Sequence, residues 1–243
     1  MSTPVARGTL AGRRVVVTRA AEDAGELEAL LSARGATPVR FPCIAFEDGP
    51  DLERIVQRVR ERPDLVVVSS PHAARRLVEL IGEISSPLAA VGAATAALLP
   101  GNVTVPEAGA GAEALLTALA PRVRGKRVLL PRAEQGTPAL ADGLRHAGAI
   151  VEELTLYRTV TPRTADLTAL RGADAVTFAS GSAVRGFVQL AGVAEANRCA
   201  VACIGASTAR DALAAGIRVD AQGNEGLADL CDAVALAVLA RKG

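Results

Sequence analysis

The sequence contains no tryptophan, one tyrosine and four phenylalanines. A single-strand nucleic-acid binder stacks bases on aromatic side chains, and this chain has almost none to offer. It also lacks a basic excess: 27 Lys and Arg stand against 26 Asp and Glu, a formal net charge of +1. Nucleic-acid binding is therefore not expected. Cys43, Cys199, Cys203 and Cys231 form no CxxC pair, and His72 and His146 are the only histidines. Neither a zinc site nor a disulfide framework is expected, and the thiols read as small buried apolar groups in a reducing compartment. Long apolar runs are missing as well. Leu88–Leu99, interrupted by Gly92 and Thr95, and Ala233–Ala240 fall short of the ~20 residues that cross a bilayer. The N-terminal MSTPVARGTLAGRR has no apolar h-region. No membrane span and no secretory signal are expected, which points to a soluble, cytoplasmic protein.

Half of the 243 residues are nevertheless hydrophobic, so a core is built from Ala, Val and Leu instead of rings. Short β-branched runs alternate with longer segments of helical spacing. Strands are predicted at Arg14–Thr18, Thr37–Phe41, Leu65–Ser69, Leu88–Val91 and Val103–Val105. A second series is predicted at Arg127–Leu130, Ile150–Leu156, Ala175–Ala179, Ala200–Ile204 and Ile217–Asp220. Gly35 and Gly148 sit where helices should stop. Alternating short strands and helices imply parallel sheets covered on both faces, and ten strands suit two sheets better than one.

Internal similarity sharpens the picture. GRRVVVTRA (Gly12–Ala20) matches GKRVLLPRA (Gly125–Ala133), 113 residues further on. Leu27, Leu31, Gly35 and Ala36 match Leu140, Leu144, Gly148 and Ala149 at the same offset. DLVVVSSPHAAR (Asp64–Arg75) matches DAVTFASGSAVR (Asp174–Arg185), and VGAATA (Val91–Ala96) matches IGASTA (Ile204–Ala209). Four blocks in one order at nearly one offset point to an internal duplication. Two extended, Pro-containing segments, Phe41–Pro50 and Tyr157–Arg163, occupy equivalent places in the halves. Read as crossovers, they predict one discontinuous domain of residues 1–41 plus 162–243 and a second of residues 42–157. The connectors would then fall at about 41–50 and 157–163.

Ligands of open parallel sheets bind beyond the carboxyl ends of strands, at helix N-termini. The candidates are Thr18 and Arg19; Ser69, Ser70, Pro71 and His72; and Gly92 with Thr95. The second series holds Pro131, Arg132 and Glu134; Ser180, Gly181 and Ser182; and Gly205, Ser207 and Thr208. Free backbone N–H groups, hydroxyls and a few Arg make an anion cradle. Ser and Thr at such places are also ordinary helix caps, and the two roles coexist. GxxxxGK[ST], HExxH and GxSxG patterns are missing, and GAG at Gly109–Gly111 is no GxGxxG. The expected chemistry therefore needs no cofactor and little acid–base machinery. Tyr157, the only tyrosine, lies in LYRTV at the expected crossover. It reads either as a weak general acid facing an interdomain cleft or as a ring packing a linker.

VVVTRA near the start, LLPRAEQG (Leu129–Gly136) and LRHAGAIVEELTLYRTV (Leu144–Val160) carry a family resemblance, together with AVTFASGSAVRGF (Ala175–Phe187) and ACIGASTARDALAAGI (Ala202–Ile217). In this order and spacing, over about residues 10–238, the chain resembles the uroporphyrinogen-III synthase family. The resemblance implies an α/β fold of two flavodoxin-like domains, each a doubly wound parallel sheet, joined by a two-stranded connector. It implies cyclisation of hydroxymethylbilane to uroporphyrinogen III with loss of water and inversion of ring D. No cofactor and no metal are implied. The expected state is a monomer, with room for transient contact with an upstream bilane-forming enzyme.

By the same resemblance Tyr157 assists departure of the hydroxyl. Thr208 lines the substrate site, with Thr95 its counterpart in the first repeat, beside Gly205 and Ser207. Ser70 and Ser180, with Ser182, match the small hydroxyl residues after the third strand of each domain. Arg19 and Arg132 are repeat-equivalent partners for substrate carboxylates, or else simply solvated. His72 departs from the residue the family usually places there and stays outside the expected site. The competing readings are a non-catalytic tetrapyrrole or small-anion sensor and a binding protein for another small anion. The sequence ending at Arg241–Gly243 without a helix-turn-helix pattern, and the presence of Tyr157 and Thr208, favour the enzyme.

Overall fold

The structure, a computed structural model, describes residues 10–109, 111–224 and 226–241. The chain opens with β1 (Arg14–Val17), α1 (Gly25–Ser32), β2 (Thr37–Arg40) and β3 (Ala45–Asp48). There follow α2 (Leu52–Arg60), β4 (Leu65–Val68), α3 (Pro71–Ile81), β5 (Leu88–Ala90), α4 (Ala93–Ala96) and β6 (Val103–Thr104). Next come α5 (Ala112–Leu119), β7 (Arg127–Ala133), α6 (Ala139–His146) and β8 (Ile150–Val160). The last elements are β9 (Ala175–Phe178), α7 (Gly181–Ala191), α8 (Val193–Arg198), β10 (Ala200–Cys203), α9 (Ala206–Ala214), β11 (Ala221–Gln222) and α10 (Leu227–Ala240). The fold is α/β, with two sheets built on parallel pairs: β1 with β2 and β9, β10 with β9 and β11, β4 with β5 and β7, β5 with β6, and β7 with β8.

Two compact units divide the chain: residues up to Ala45 together with those from Val160, and Phe46–Thr159. In the first, the strand order is β11-β10-β9-β1-β2. Counted along that unit, this is the order 2-1-3-4-5 of a doubly wound sheet. Strand side chains alternate between its faces. Val15, Val17, Ala175, Ala200 and Ala202 pack with Leu27 and Leu31 of α1 and with α10. Val16, Val176, Phe178, Val201 and Cys203 point the other way, onto α7, α8 and α9. Both faces are covered, so the strands read as continuous apolar runs.

The second unit has the order β3-β8-β7-β4-β5-β6. Starting from β7, it repeats the pattern β8-β7-β4-β5-β6, with β3 added along the outer edge of β8. Leu65, Val67, Ala89, Val128 and Leu130 meet α5 and α6. Val66, Val68, Leu88, Ala90 and Leu129 meet α2 and α3. Leu144 is fully buried on α6, and truncating it to Ala would cost about 2–5 kcal/mol through lost burial and the cavity left behind.

Equivalent contacts recur in the two units. The Arg14 N–H donates to Asp174 Oδ2 at 2.8 Å, and the Arg127 N–H donates to Asp64 Oδ2 at 2.8 Å. Gly35 and Gly148 both close a helix at positive φ, 86° and 89°. A left-handed backbone there suits glycine, which has no Cβ to clash. The Gly12 N–H donates to the Gly35 carbonyl, and the Gly125 N–H to the Gly148 carbonyl, at 3.1 and 2.8 Å.

Three elements differ from the sequence reading. The last strand lies at Ala221–Gln222 and not at Ile217–Asp220. Ile217 is instead used to close α9, its N–H bonding the Ala212 carbonyl at 2.9 Å. β3 forms inside the first predicted connector, because β8 continues far enough to pair with it. β7 extends to Ala133 for the same reason, so Arg132 lies within a strand instead of after one.

Candidate functional site

In the second unit β8, β7, β4 and β5 are neighbours. Their carboxyl ends bring Tyr157, Arg132, Ser70 and the Thr95 region side by side. The gap between β7 and β4 is where chain order reverses, with β8 to one side and β5 and β6 to the other. Open α/β sheets bind ligands at such a switch point.

Ser70 has extended backbone (φ −161°, ψ 156°), and its hydroxyl accepts the Ala73 N–H at 3.0 Å, so it is the N-cap of α3. Pro71 follows at the first helical position, where its missing N–H does no harm. The Ser70 Oγ is also 3.1 Å from the Tyr157 hydroxyl. Tyr157 sits within β8 and is 7% exposed.

The register of β7 against β8 shifts here. Arg132 pairs with Thr155, but Ala133 pairs with Tyr157, leaving Leu156 as the extra residue of a bulge. Regular alternation would send Leu156 and Tyr157 to opposite faces. With the bulge, Leu154, Leu156 and Tyr157 join one cluster on the α3 side. Bulges re-aim side chains in this way. Gly49 lies against the same stretch: its N–H donates to the Leu156 carbonyl at 2.9 Å, and a Cβ there would fall 2.1 Å from the Thr155 carbonyl oxygen.

Beside Tyr157 and Ser70 lies a cavity of about 260 Å³ whose wall includes Arg132, Leu130, Gly136 and Leu140. Arg132 forms an ion pair with Glu153 and donates to the Ala133 and Gly136 carbonyls. Its guanidinium therefore braces the loop at 133–136 while bordering the cavity. Thr95 is 2% exposed, on the short α4 that begins after Gly92.

Two rings beside Tyr157 lie outside the set expected from sequence. Phe46 and His72 are stacked, with centroids 3.7 Å apart and planes at 28°. Tyr157 forms T-shaped pairs with both, its ring centroid 4.5 Å from that of His72 and 5.4 Å from that of Phe46. The available signal was slight: His72 follows the Ser70 cap by two residues at the head of a helix. Phe46 carried none, because strand β3 was not foreseen.

The first unit carries the other expected residues. β1, β9 and β10 are adjacent, so Arg19, Ser180 with Ser182, and Gly205 with Ser207 and Thr208 share one edge of that sheet. Ser180 caps α7, accepting the Ala183 N–H at 3.2 Å, as Ser70 caps α3. Ser182 accepts from Arg185 at 3.1 Å. Arg19 donates to the Asp23 carbonyl at 2.9 Å. Gly205 precedes α9, Ser207 is exposed, and Thr208 is 6% exposed at the third helical position. Tyr157, Ser70, Thr95 and Arg132 thus belong to one unit and the remaining expected residues to the other.

Among the described residues no group of three or more His, Cys, Asp or Glu could hold a metal ion. All four cysteines are buried. Burial pushes the Cys203 and Cys231 thiols up to about 12 and about 11, and raises Cys43 further. None of them is a nucleophile at neutral pH. Among the described residues, no helix is long and apolar enough to cross a membrane.

Parallel pairing, a capped helix, a phenol and a small cavity at one carboxyl edge make this an α/β protein with a cavity where open sheets bind their ligands. A family model described as uroporphyrinogen-III synthase HemD matches residues 25–225, and the chain belongs to the uroporphyrinogen-III synthase family. It is thus a lyase-type enzyme of tetrapyrrole biosynthesis. The chloroplastic uroporphyrinogen-III synthase of Oryza sativa subsp. japonica is 30% identical over 223 residues, which is 84% of this chain and 73% of that protein. The synthase of Synechococcus elongatus is 28% identical over 207 residues, 76% of this chain and 77% of that one. Among solved structures, the synthetase of Helicobacter pylori has a similar fold, with a TM-score of 0.63 at 15% identity, over 93% of this chain and 99% of that one.

Proposed function

We propose that this chain cyclises hydroxymethylbilane to uroporphyrinogen III, with loss of water and inversion of ring D, and that Tyr157 is its general acid. The observation that carries the role of Tyr157 is its 3.1 Å contact with Ser70 at the cavity. The Ser70 oxygen already accepts the Ala73 N–H. Either hydroxyl of the pair can be the donor; with Ser70 as donor to the phenol oxygen, Tyr157 gives its own proton to the leaving group. The pyrrole supplies the electron push as the terminal hydroxyl departs. Tyr157 gives that hydroxyl its proton, and water leaves behind an azafulvene. The Ser70 hydroxyl and the N-terminus of α3 then stabilise the phenolate, an interaction strongest as charge develops.

The azafulvene carbon is then attacked by the substituted α-carbon of ring D, giving a spiro intermediate. The bond joining that α-carbon to the ring C methylene breaks, and the methylene bonds instead to the unsubstituted α-carbon of ring D, which loses its proton. A free bilane closes instead to the type I isomer, so the main contribution is orientation. Elimination and ring closure change no oxidation state, so the chemistry asks for no redox cofactor. The cavity is smaller than the roughly 300–1,000 Å³ that encloses a whole drug-sized ligand, so it suits one end of the tetrapyrrole. Thr208, Ser207, Gly205, Ser180, Ser182, Thr95, Arg19 and Arg132 are proposed to hold the rest of the substrate and its carboxylates.

We further infer that the two units arose by duplication and act as two flavodoxin-like domains of a cytoplasmic monomer, with connectors near 41–50 and 157–163. Their shared strand order and the paired Arg14–Asp174 and Arg127–Asp64 bonds support that origin. The reaction is tested by incubating fresh hydroxymethylbilane with the protein, oxidising, and separating the porphyrin isomers. A dominant type III product at catalytic enzyme levels is expected. Type I alone, as in a protein-free control, overturns the reading.

A further inference from the structure

Resting on Tyr157 as the acid, we propose that Phe46 and His72 are positioning residues that hold its ring so that the phenol stays over Ser70. Three of this chain's seven Phe, Tyr and His rings meet at this one place. The remaining phenylalanines, Phe41, Phe178 and Phe187, pack with one another inside the other unit. In a core otherwise made of Ala, Val and Leu, the aromatic surface is thus divided between a structural cluster and the surroundings of Tyr157.

The geometry restrains the ring in two ways. The Tyr157 ring makes T-shaped contacts with His72 at 70° and with Phe46 at 88°, the perpendicular arrangement that aromatic quadrupoles favour. Each partner is held by its own element. His72 is the second residue of α3, two positions after the Ser70 cap. Phe46 lies on β3, which pairs with β8, the strand that carries Tyr157. One helix start therefore supplies both the hydroxyl that meets the phenol oxygen and a ring that meets the phenol face or edge. Phe46 and His72 act on the reaction through their ring contacts with Tyr157, so the effect falls on kcat with KM preserved.

The chain offers a direct probe. With one tyrosine and no tryptophan, its near-ultraviolet circular dichroism at tyrosine wavelengths reports the asymmetry around Tyr157 alone. His72→Ala, His72→Gln, His72→Phe and Phe46→Ala would be measured for this signal, for melting temperature, and for kcat and KM with the bilane. We expect His72→Ala and His72→Gln to lose most of the tyrosine signal and to lower kcat by roughly 3–10-fold, the factor that goes with losing one aromatic pair. KM should stay within about twofold. His72→Phe, which keeps a ring, should restore both signal and turnover. Phe46→Ala should act like His72→Ala.

Wild-type signal and kcat in His72→Ala and His72→Gln would overturn the proposal. So would failure of a folded His72→Phe to restore turnover, since the imidazole would then act chemically instead of as a ring. If His72→Ala does not fold, the pair His72→Gln and His72→Phe carries the comparison. Tyr157→Phe separates the two levels. A wild-type rate there overturns the acid role, and the positioning proposal with it, whatever the tyrosine signal shows. A slow Tyr157→Phe with a fully active His72→Gln removes the positioning proposal alone.

Discussion

The hydroxyls of Tyr157 and Ser70 lie 3.1 Å apart although 87 residues separate them in sequence. One comes from the bulged part of β8 and the other from the cap of α3, and the two strands that lead there, β8 and β4, flank β7. The pair ties the proposed acid to the helix start that would stabilise its conjugate base. Double substitution is the direct test. Tyr157→Phe should lower kcat by about 10–100-fold, at or below the lower end for general acids because the pyrrole itself drives departure. Ser70→Ala should lower it less and should cost about 1 kcal/mol of stability through the lost cap. The double variant should turn over about as slowly as Tyr157→Phe alone, since both act on one proton transfer. Additive losses would show that Ser70 acts elsewhere on the substrate.

Gly49 should be intolerant of any side chain. A Cβ would approach the Thr155 carbonyl oxygen to 2.1 Å, and backbone on a paired strand has little freedom to retreat. Gly49→Ala should destabilise by about 2 kcal/mol or more, within the range for forced overpacking. Because the displaced segment leads into the bulge, kcat should also fall in protein that remains folded. Chemical denaturation and steady-state kinetics check both.

Asp174 joins β9 to β1. Its burial works against ionisation, but the Arg14 N–H and the Arg13 guanidinium at 2.6 Å outweigh this and hold its carboxyl below the usual range. A depressed carboxyl stabilises the fold above its unfolded value near 4, and that contribution disappears as pH falls through the folded value. Asp174→Ala should therefore cost about 1–3 kcal/mol at pH 7. The gap to wild type should narrow below about pH 4. Melting temperatures from pH 7 to pH 3 measure it, and a gap that widens in acid contradicts the assignment.

The cysteines should be silent in the native state. Thiols raised to about 11 at Cys231 and about 12 at Cys203 form almost no thiolate at pH 8. Ellman's reagent should modify none of the four in folded protein and all four in denaturant. Activity should be indifferent to mild reductant.

Residues 10–41 show how far local pattern reaches. VVV at 15–17, the Leu27 and Leu31 spacing and the helix-ending Gly35 state strand, helix and stop, and the structure has them within a residue or so. Such signals are local: alternation and helical spacing follow from backbone geometry, and a left-handed stop needs glycine. The caps at Ser70 and Ser180 were legible for the same reason. Ile217 was misleading because one buried isoleucine serves a helix end as well as a strand.

By itself, the sequence determined the α/β class, the repeated pattern, the hydroxyls at strand ends and the family. The tertiary structure alone decided which face Tyr157 occupies, because a bulge depends on the register between two strands and leaves no local mark. It decided that Arg132 pairs with Glu153, and that Phe46 and His72 pack against the ring of Tyr157. Each of these is a meeting of residues distant in the chain, and such meetings exist only once the sheet has chosen its strand order.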